Sequence, residues 1–127
     1  MTNILLVGAG GFIGSVLRYL IGGAVQSSMK RLDFSYGTLA VNLIGCFVIG
    51  LLAYYGESRG AFSTESRAFI FIGILGGFTT FSSFGNETID LMREGFMMNA
   101  LANIGANVIL GLLAVLLGRT ISYWIWR

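Results

Sequence analysis

The chain has 127 residues, of which 55% are hydrophobic and 11% are charged, and its formal net charge is +2. Soluble globular domains usually contain about 25% charged residues, so this chain has too few charges to cover a folded surface in water. The composition argues against a soluble enzyme or a nucleic-acid-binding domain and favours a chain whose solvent is the lipid bilayer.

Four stretches of the chain contain no charged residue. They cover residues 1–17, 34–56, 68–86 and 95–118, and their lengths are 17, 23, 19 and 24 residues. A membrane-spanning helix needs roughly 20 apolar residues, with a range of about 17 to 25. We therefore predict an all-α membrane protein, a single domain over residues 1–127, with transmembrane helices over residues 3–25, 36–56, 67–94 and 97–124.

The first predicted helix is rich in small residues. Gly10 and Gly14 form a G-x-x-x-G pair, a spacing that lets helix backbones approach closely in lipid. Its glycines also resemble a nucleotide-binding turn, but a dinucleotide fold needs alternating strands and helices, which the nearly uniform hydrophobicity does not favour. Arg18 lies late in this helix, where it can extend to the interface or face the protein interior.

The second predicted helix has one polar face. Thr38, Asn42 and Gly45 follow each other at spacings of four and three residues, so they share one side of a helix. Cys46 is the only cysteine and the chain has no histidine. We interpret Cys46 as a small apolar residue, and a soft transition-metal site is not expected.

The third predicted helix contains the densest polar cluster. Residues 76–87 read Gly-Gly-Phe-Thr-Thr-Phe-Ser-Ser-Phe-Gly-Asn-Glu, and adjacent glycines beside a run of hydroxyls favour an unwound backbone. Such backbone is tolerated at membrane depth only where it is buried in protein or lines water. Its carbonyls suit an alkali cation and its N–H groups an anion. Phe81 and Phe84 are one turn apart and either pack or turn their positive ring edges toward an anion.

Within this cluster, Glu87 follows Thr80 and Ser83 at helical spacing. Glu87 is either the partner of an amide or hydroxyl near the interface or, in a transporter, a proton-coupling carboxylate.

The fourth predicted helix contains a ladder of amides. Asn99, Asn103 and Asn107 recur every four residues, which makes one polar stripe on an otherwise apolar helix. Each amide alone is as consistent with hydrogen bonding between helices as with pore lining, but three in register favour an ion pathway. The chain ends in the aromatic residues typical of a bilayer surface.

Basic residues are divided evenly between the two sides of the predicted bundle. Four helices place both termini on one side with four basic residues, and the other side has four as well: Arg59, Arg67, Arg119 and Arg127 against Arg18, Lys30, Arg31 and Arg93. Orientation follows an excess of Lys and Arg in cytoplasmic loops, and here there is none. We predict insertion in both orientations and an antiparallel, two-fold homodimer.

The sequence resembles the CrcB/Fluc family of fluoride channels over essentially its whole length. Three segments provide the resemblance: Gly-Ser-Val-Leu-Arg at residues 14–18, Gly-Thr-Leu-Ala-Val-Asn-Leu-Ile-Gly at 37–45, and Gly-Gly-Phe-Thr-Thr-Phe-Ser-Ser-Phe at 76–84. The third is the most specific. The resemblance implies an antiparallel homodimer in the cell's inner (plasma) membrane, with two separate fluoride pores.

The resemblance also implies roles for individual residues. A sodium ion at the dimer centre would be held by backbone carbonyls of Gly76 and Thr79 from each subunit, and Arg18 would be structural or belong to a vestibule. The remaining positions would line the fluoride pore: Asn42, Thr80, Phe81, Ser83, Phe84, Glu87, Asn103 and Asn107.

The function that follows is passive export of fluoride down its electrochemical gradient, which lowers cytoplasmic fluoride and confers fluoride resistance. The alternative is a small dual-topology, proton-coupled multidrug exporter, which also has four helices per subunit. Such exporters have an essential carboxylate in the first helix, and residues 3–25 contain none.

Overall fold

The computed structural model describes residues 1–30 and 33–127, and these residues form four long helices and no strand. The helices are α1 (Thr2–Met29), α2 (Tyr36–Arg59), α3 (Thr64–Arg93) and α4 (Met97–Trp126). Each is long and apolar enough to cross a membrane. The all-α fold class and the number of helices predicted from the sequence are therefore confirmed.

The helices extend past the ends of the hydrophobic stretches. α1 continues to Met29 and α2 to Arg59, a few residues beyond their predicted ends. α3 begins early, at Thr64, because the side chain of Ser63 caps its first turn. Hydropathy measures the length in the lipid core, whereas a helix continues through the polar interface until a cap ends it. Arg31, which we counted among the basic residues, lies outside the described residues.

α1 packs against the first half of α3, residues 64–78. A Cβ atom added at Gly10 would collide with the carbonyl oxygen of Phe69, and one added at Gly14 with that of Ile74. The absence of side chains thus lets the two backbones touch, which confirms the packing role predicted for the G-x-x-x-G pair.

α2 packs chiefly against α4, and the second half of α3 contacts the beginning of α4. The buried core is small: its most enclosed side chains are Val41, Ala100, Asn103 and Ser122, all at most 1% exposed. Most large apolar side chains lie instead on the outside. That distribution suits a membrane protein, because lipid covers apolar surface as well as protein does.

Two segments of the long helices have wider, π-helical turns. Ala68–Leu75 lies in the first half of α3, and Ala106–Leu110 lies in α4. Such turns rotate the side chains that follow them relative to a regular helix and are frequent at functional sites. The second of them includes Asn107.

Candidate functional site

Two consecutive residues in the middle of α3 leave the helical conformation. Thr79 has φ −86° and ψ 159°, and Thr80 has φ −151° and ψ 113°. The helix resumes at Phe81 because the Thr80 hydroxyl caps it by accepting a hydrogen bond from the N–H of Ser83 at 3.2 Å. The predicted interruption of the third helix is confirmed and lies at residues 79 and 80.

The break removes the usual donors from two carbonyl groups. In a continuous helix the Gly76 carbonyl would accept from the N–H of Thr80. The Thr79 carbonyl would accept from the N–H of Ser83. Instead, the Thr80 N–H donates to Asn42 Oδ1 at 2.8 Å, and the Ser83 N–H donates to the Thr80 hydroxyl. The two carbonyls at which the family resemblance implies a cation therefore lack their usual helical donors.

Backbone carbonyl oxygens are hard ligands that suit an alkali cation. The described part of the chain contains no group of three or more His, Cys, Asp or Glu side chains that could hold a metal. The Thr79 carbonyl also accepts a hydrogen bond from Arg18 Nη1 at 3.4 Å. A carbonyl oxygen has two lone pairs, so this contact leaves one for another ligand.

The two adjacent glycines before the break face different surroundings. A Cβ atom at Gly77 would lie 2.7 Å from the carbonyl oxygen of Gly11, so Gly77 belongs to the close contact with α1. A Cβ atom at Gly76 would meet nothing closer than the Phe71 carbonyl oxygen at 3.7 Å. Gly76 is exposed on the single chain, and its small size has no explanation within one copy.

Asn42 ties α2 to the break. Its Oδ1 accepts from the N–H of Thr80, and its amide nitrogen donates to the Thr80 carbonyl at 3.2 Å and to Asn107 Oδ1 at 2.9 Å. An amide has two N–H donors, and in this conformation both are engaged with protein. Asn42 therefore lies at the break, and an anion that binds it must replace one of these acceptors.

The asparagines of α4 do not form one uniform stripe. Asn107 bonds with Asn42, and its amide nitrogen donates to Asn103 Oδ1 at 3.1 Å. Asn103 is fully buried and donates to the hydroxyl of Thr88 at 3.0 Å. Asn99 points elsewhere and donates to the carbonyl of Asp33 at 2.9 Å. Asn103 and Asn107 are thus linked to the break, whereas Asn99 bonds to the connection between α1 and α2.

The two phenylalanines after the break differ in exposure. Their ring centroids are 5.3 Å apart with planes at 65°, so they meet edge to face. Phe84 is 9% exposed, whereas Phe81 is 82% exposed on the single chain. A ring that is this uncovered beside a polar backbone break is available to a second protein surface.

Two cavities lie next to the break, and Thr80 lines both of them. The larger, of about 560 Å³, is also lined by Arg18, Thr38, Ser83 and Glu87. It therefore offers a guanidinium and hydroxyls to an anion.

The smaller cavity has a volume of about 360 Å³ and shares Thr80 with the larger one. Its walls include seven of the predicted site residues: Asn42, Gly76, Thr79, Thr80, Phe81, Phe84 and Asn107. Cys46 also lines it. The structure thus brings most of the predicted residues to one place.

Glu87 lies at the wall of the larger cavity. The hydroxyl of Thr38 donates to its Oε1 at 2.6 Å, while Oε2 is buried and has no hydrogen-bond partner among the described residues. The hydroxyl partnership that the sequence suggested for Glu87 is therefore present.

Thr88 was not expected from the sequence to take part. Its side chain is 5% exposed and bonds both to Asn103 and to the carbonyl of Phe84. A spacing of eight residues from Thr80 could have placed it on the same side of the helix, but a lone threonine in a membrane helix is too common to be singled out.

Comparison with known proteins identifies the family. The family described as "CrcB-like protein, Camphor Resistance (CrcB)" matches residues 5–119. The chain is 46% identical to fluoride-specific ion channel FluC 3 of Methanosarcina barkeri, over 96% of this chain and 91% of that protein. It is 48% identical to fluoride-specific ion channel FluC of Rhizobium meliloti, over 93% of this chain and 94% of the relative. The protein of that name from Dehalococcoides mccartyi is 46% identical, over 93% and 90%.

Proposed function

The chain belongs to the CrcB family, and we propose that it is a fluoride-selective ion channel of the inner membrane, which exports fluoride passively. The observation that supports this most directly is the break in α3. It places donor groups and aromatic rings where two cavities meet, in the middle of a helix long enough to cross a membrane. No part of this proposal requires an enzymatic step.

Fluoride is small and strongly hydrated, so a pore must replace its water with other hydrogen-bond donors. Amides and hydroxyls can do so without a fixed positive charge, which would hold the ion too tightly for conduction. We assign this role to side chains at the break: Asn42, Thr80, Ser83 and Asn107. Ring edges of Phe81 and Phe84 would face the ion, and Glu87 would lie along the same polar path.

The membrane potential supplies the direction of transport. An inside-negative potential contributes about 2.3 kcal/mol per charge per 100 mV. That energy corresponds to a bias of roughly 50-fold toward efflux, since each 1.36 kcal/mol is a factor of ten. Fluoride that entered as its neutral acid would thus leave without coupling to ATP or protons.

The functional unit that we propose is an antiparallel homodimer. The surface of α3 after the break exposes polar side chains together with the ring of Phe81: Ser82, Asn86 and Asp90. Lipid does not accommodate polar groups well, so a second copy is the better cover. The equal division of basic residues favours insertion both ways.

Topology can be measured in intact cells. Cys46→Ser removes the native thiol, and Ala61→Cys places a new one in the exposed connection between α2 and α3. An impermeant maleimide should label about half of the copies if insertion is dual. Labelling of nearly all or nearly none would contradict the antiparallel dimer.

We further propose a structural sodium ion between the two copies. The carbonyls of Gly76 and Thr79 would hold it, and they fit because the donors that normally meet them are engaged elsewhere. Each copy offers two oxygens, so the dimer would offer four. When bound, sodium would supply a positive charge that joins the two copies at their breaks.

The channel proposal is tested by ion release from liposomes. Purified protein is reconstituted in vesicles loaded with potassium fluoride or potassium chloride, and valinomycin is added to carry the compensating potassium. We expect rapid fluoride release that depends on valinomycin, while chloride is retained. Equal release of both anions, or retention of fluoride, would contradict the proposal. Proton-coupled uptake of an organic cation would favour the exporter alternative.

Phe81 offers a variant that leaves the single chain intact. Because this ring is 82% exposed, Phe81→Leu should remove little packing but should lower fluoride release by about tenfold, as expected for one lost contact of roughly 1.4 kcal/mol. Phe12→Leu is the matched control, since Phe12 is 73% exposed on α1. Unchanged release from Phe81→Leu would argue against a pore at this ring.

A further inference from the structure

An unbroken series of side-chain hydrogen bonds joins α2, α4 and the second half of α3. It consists of Asn42, Asn107, Asn103 and Thr88. It begins at the N–H of Thr80 and ends at the carbonyl of Phe84. Both ends are backbone groups of the same short segment, the one that contains the two phenylalanine rings.

Thr88 determines which atom donates and which accepts in each hydrogen bond of this series. Its hydroxyl hydrogen is donated to the carbonyl of Phe84 at 2.7 Å, so only its lone pairs are left for α4. Asn103 must therefore present its amide nitrogen to Thr88, as it does at 3.0 Å. The Asn103 side-chain oxygen consequently faces the other way.

The orientation of the Asn107 amide is set by two oxygens of Asn103. Its nitrogen donates to Asn103 Oδ1 at 3.1 Å and to the Asn103 carbonyl at 3.0 Å. This leaves Asn107 Oδ1 for the nitrogen of Asn42 at 2.9 Å. The oxygen of Asn42 is then left to accept the N–H of Thr80. The three amides thus lie between two backbone groups that cannot rotate, the carbonyl of Phe84 and the N–H of Thr80.

We propose that Thr88 and Asn103 are positioning residues, which act through Asn107 to fix the orientation of the Asn42 amide and which hold the first turn after the break. This inference rests on the proposed channel function, because Asn42 is one of the donors assigned to fluoride there. Thr88 and Asn103 line neither cavity, so they act on the ion only through the residues they hold. If the Asn42 amide were flipped, its side-chain oxygen instead of its N–H groups would face the anion.

The test compares three substitutions of back-bonded threonines in liposomes. Thr88→Val keeps the shape but removes the hydroxyl, while Thr88→Ser keeps the hydroxyl. Thr120→Val is the matched control, because the Thr120 hydroxyl bonds to the Leu116 carbonyl at 2.9 Å but is exposed. We expect Thr88→Val to reduce fluoride release about tenfold, as for a buried amide left without its partner. Thr88→Ser and Thr120→Val should resemble wild type.

The selectivity for fluoride over chloride distinguishes a positioning role of Thr88 from a role in folding alone. A disordered donor array should discriminate less, so the ratio of fluoride to chloride release should fall in Thr88→Val. If that variant folds poorly, Thr88→Val combined with Asn103→Leu removes both buried partners, which is less disruptive than removing one. The double variant should also show reduced release and a reduced ratio.

The outcomes distinguish this inference from the function on which it rests. If wild-type protein releases no fluoride, the channel function fails and the positioning role fails with it. If wild type releases fluoride and every folded variant at position 88 keeps wild-type rate and selectivity, the channel stands and the positioning role is wrong. A lower rate and ratio in Thr88→Val, restored in Thr88→Ser, support the inference.

Discussion

The two halves of α3 are held in opposite ways. The first half, residues 64–78, lies against α1 through bare backbone, with Gly10 and Gly14 touching carbonyl oxygens. The second half, Phe81–Arg93, is held by amides and hydroxyls from α2 and α4. Close backbone packing needs only small residues and creates no path for an ion. Polar contacts at membrane depth provide donors, and the break between the halves is where they converge.

The largest effect is expected in the backbone-packed half. Gly14→Val should prevent α1 from approaching α3, because its Cβ would collide with the Ile74 carbonyl oxygen. The loss should be at least about 3 kcal/mol, at the upper end for overpacking, since backbone cannot move aside easily. Thermal unfolding in detergent measures it. The control is Gly8→Val, whose Cβ meets nothing within 4 Å, and equal stability of the two variants would contradict this contact.

An intermediate effect is expected in the polar half. Asn42→Leu keeps the size of the side chain but leaves the Thr80 N–H without its acceptor. We expect fluoride release to fall between about tenfold and a hundredfold, with a stability cost of about 1 to 3 kcal/mol. Asn99→Leu is the control, since Asn99 bonds to the Asp33 carbonyl, away from the break. Similar release from both variants would mean that the amide at 42 has no special part in conduction.

The smallest effect on the single chain is expected at Gly76, where the two halves meet. Gly76→Ala adds a methyl group to open space, whereas Gly77→Ala places one 2.7 Å from the Gly11 carbonyl oxygen. Gly77→Ala should therefore lower the stability of the fold, by about 1 to 3 kcal/mol. Gly76→Ala should leave the fold unchanged but weaken dimerisation. We expect the variant to need about tenfold more sodium than wild type to dimerise.

Dimer fraction is followed by size exclusion across a sodium titration, with potassium replacing sodium. A Gly76→Ala protein that dimerises like wild type at every sodium concentration would argue against a cation at these carbonyls. A Gly77→Ala protein as stable as wild type would argue against the glycine contact with α1.

The position of the break was predictable, but its consequences were not. Adjacent glycines beside threonines and serines indicate unwound backbone, and the helix is indeed interrupted at Thr79 and Thr80. The spacing of Asn99, Asn103 and Asn107 predicted one polar stripe, but only Asn103 and Asn107 are linked to the break among the described residues. Periodicity could not show that Asn103 is fully buried and bonded to Thr88, because that depends on which helix lies opposite.

Hydrophobicity and charge by themselves determined that this chain crosses a membrane four times, because lipid requires long apolar helices with their backbone satisfied internally. Only the tertiary structure decided which glycine packs and which is open, and which way each amide points. Those properties depend on contacts between residues as far apart in sequence as Asn42 and Asn107. A hydrogen-bond donor is oriented by its partner, and that partner is known only once the helices are packed.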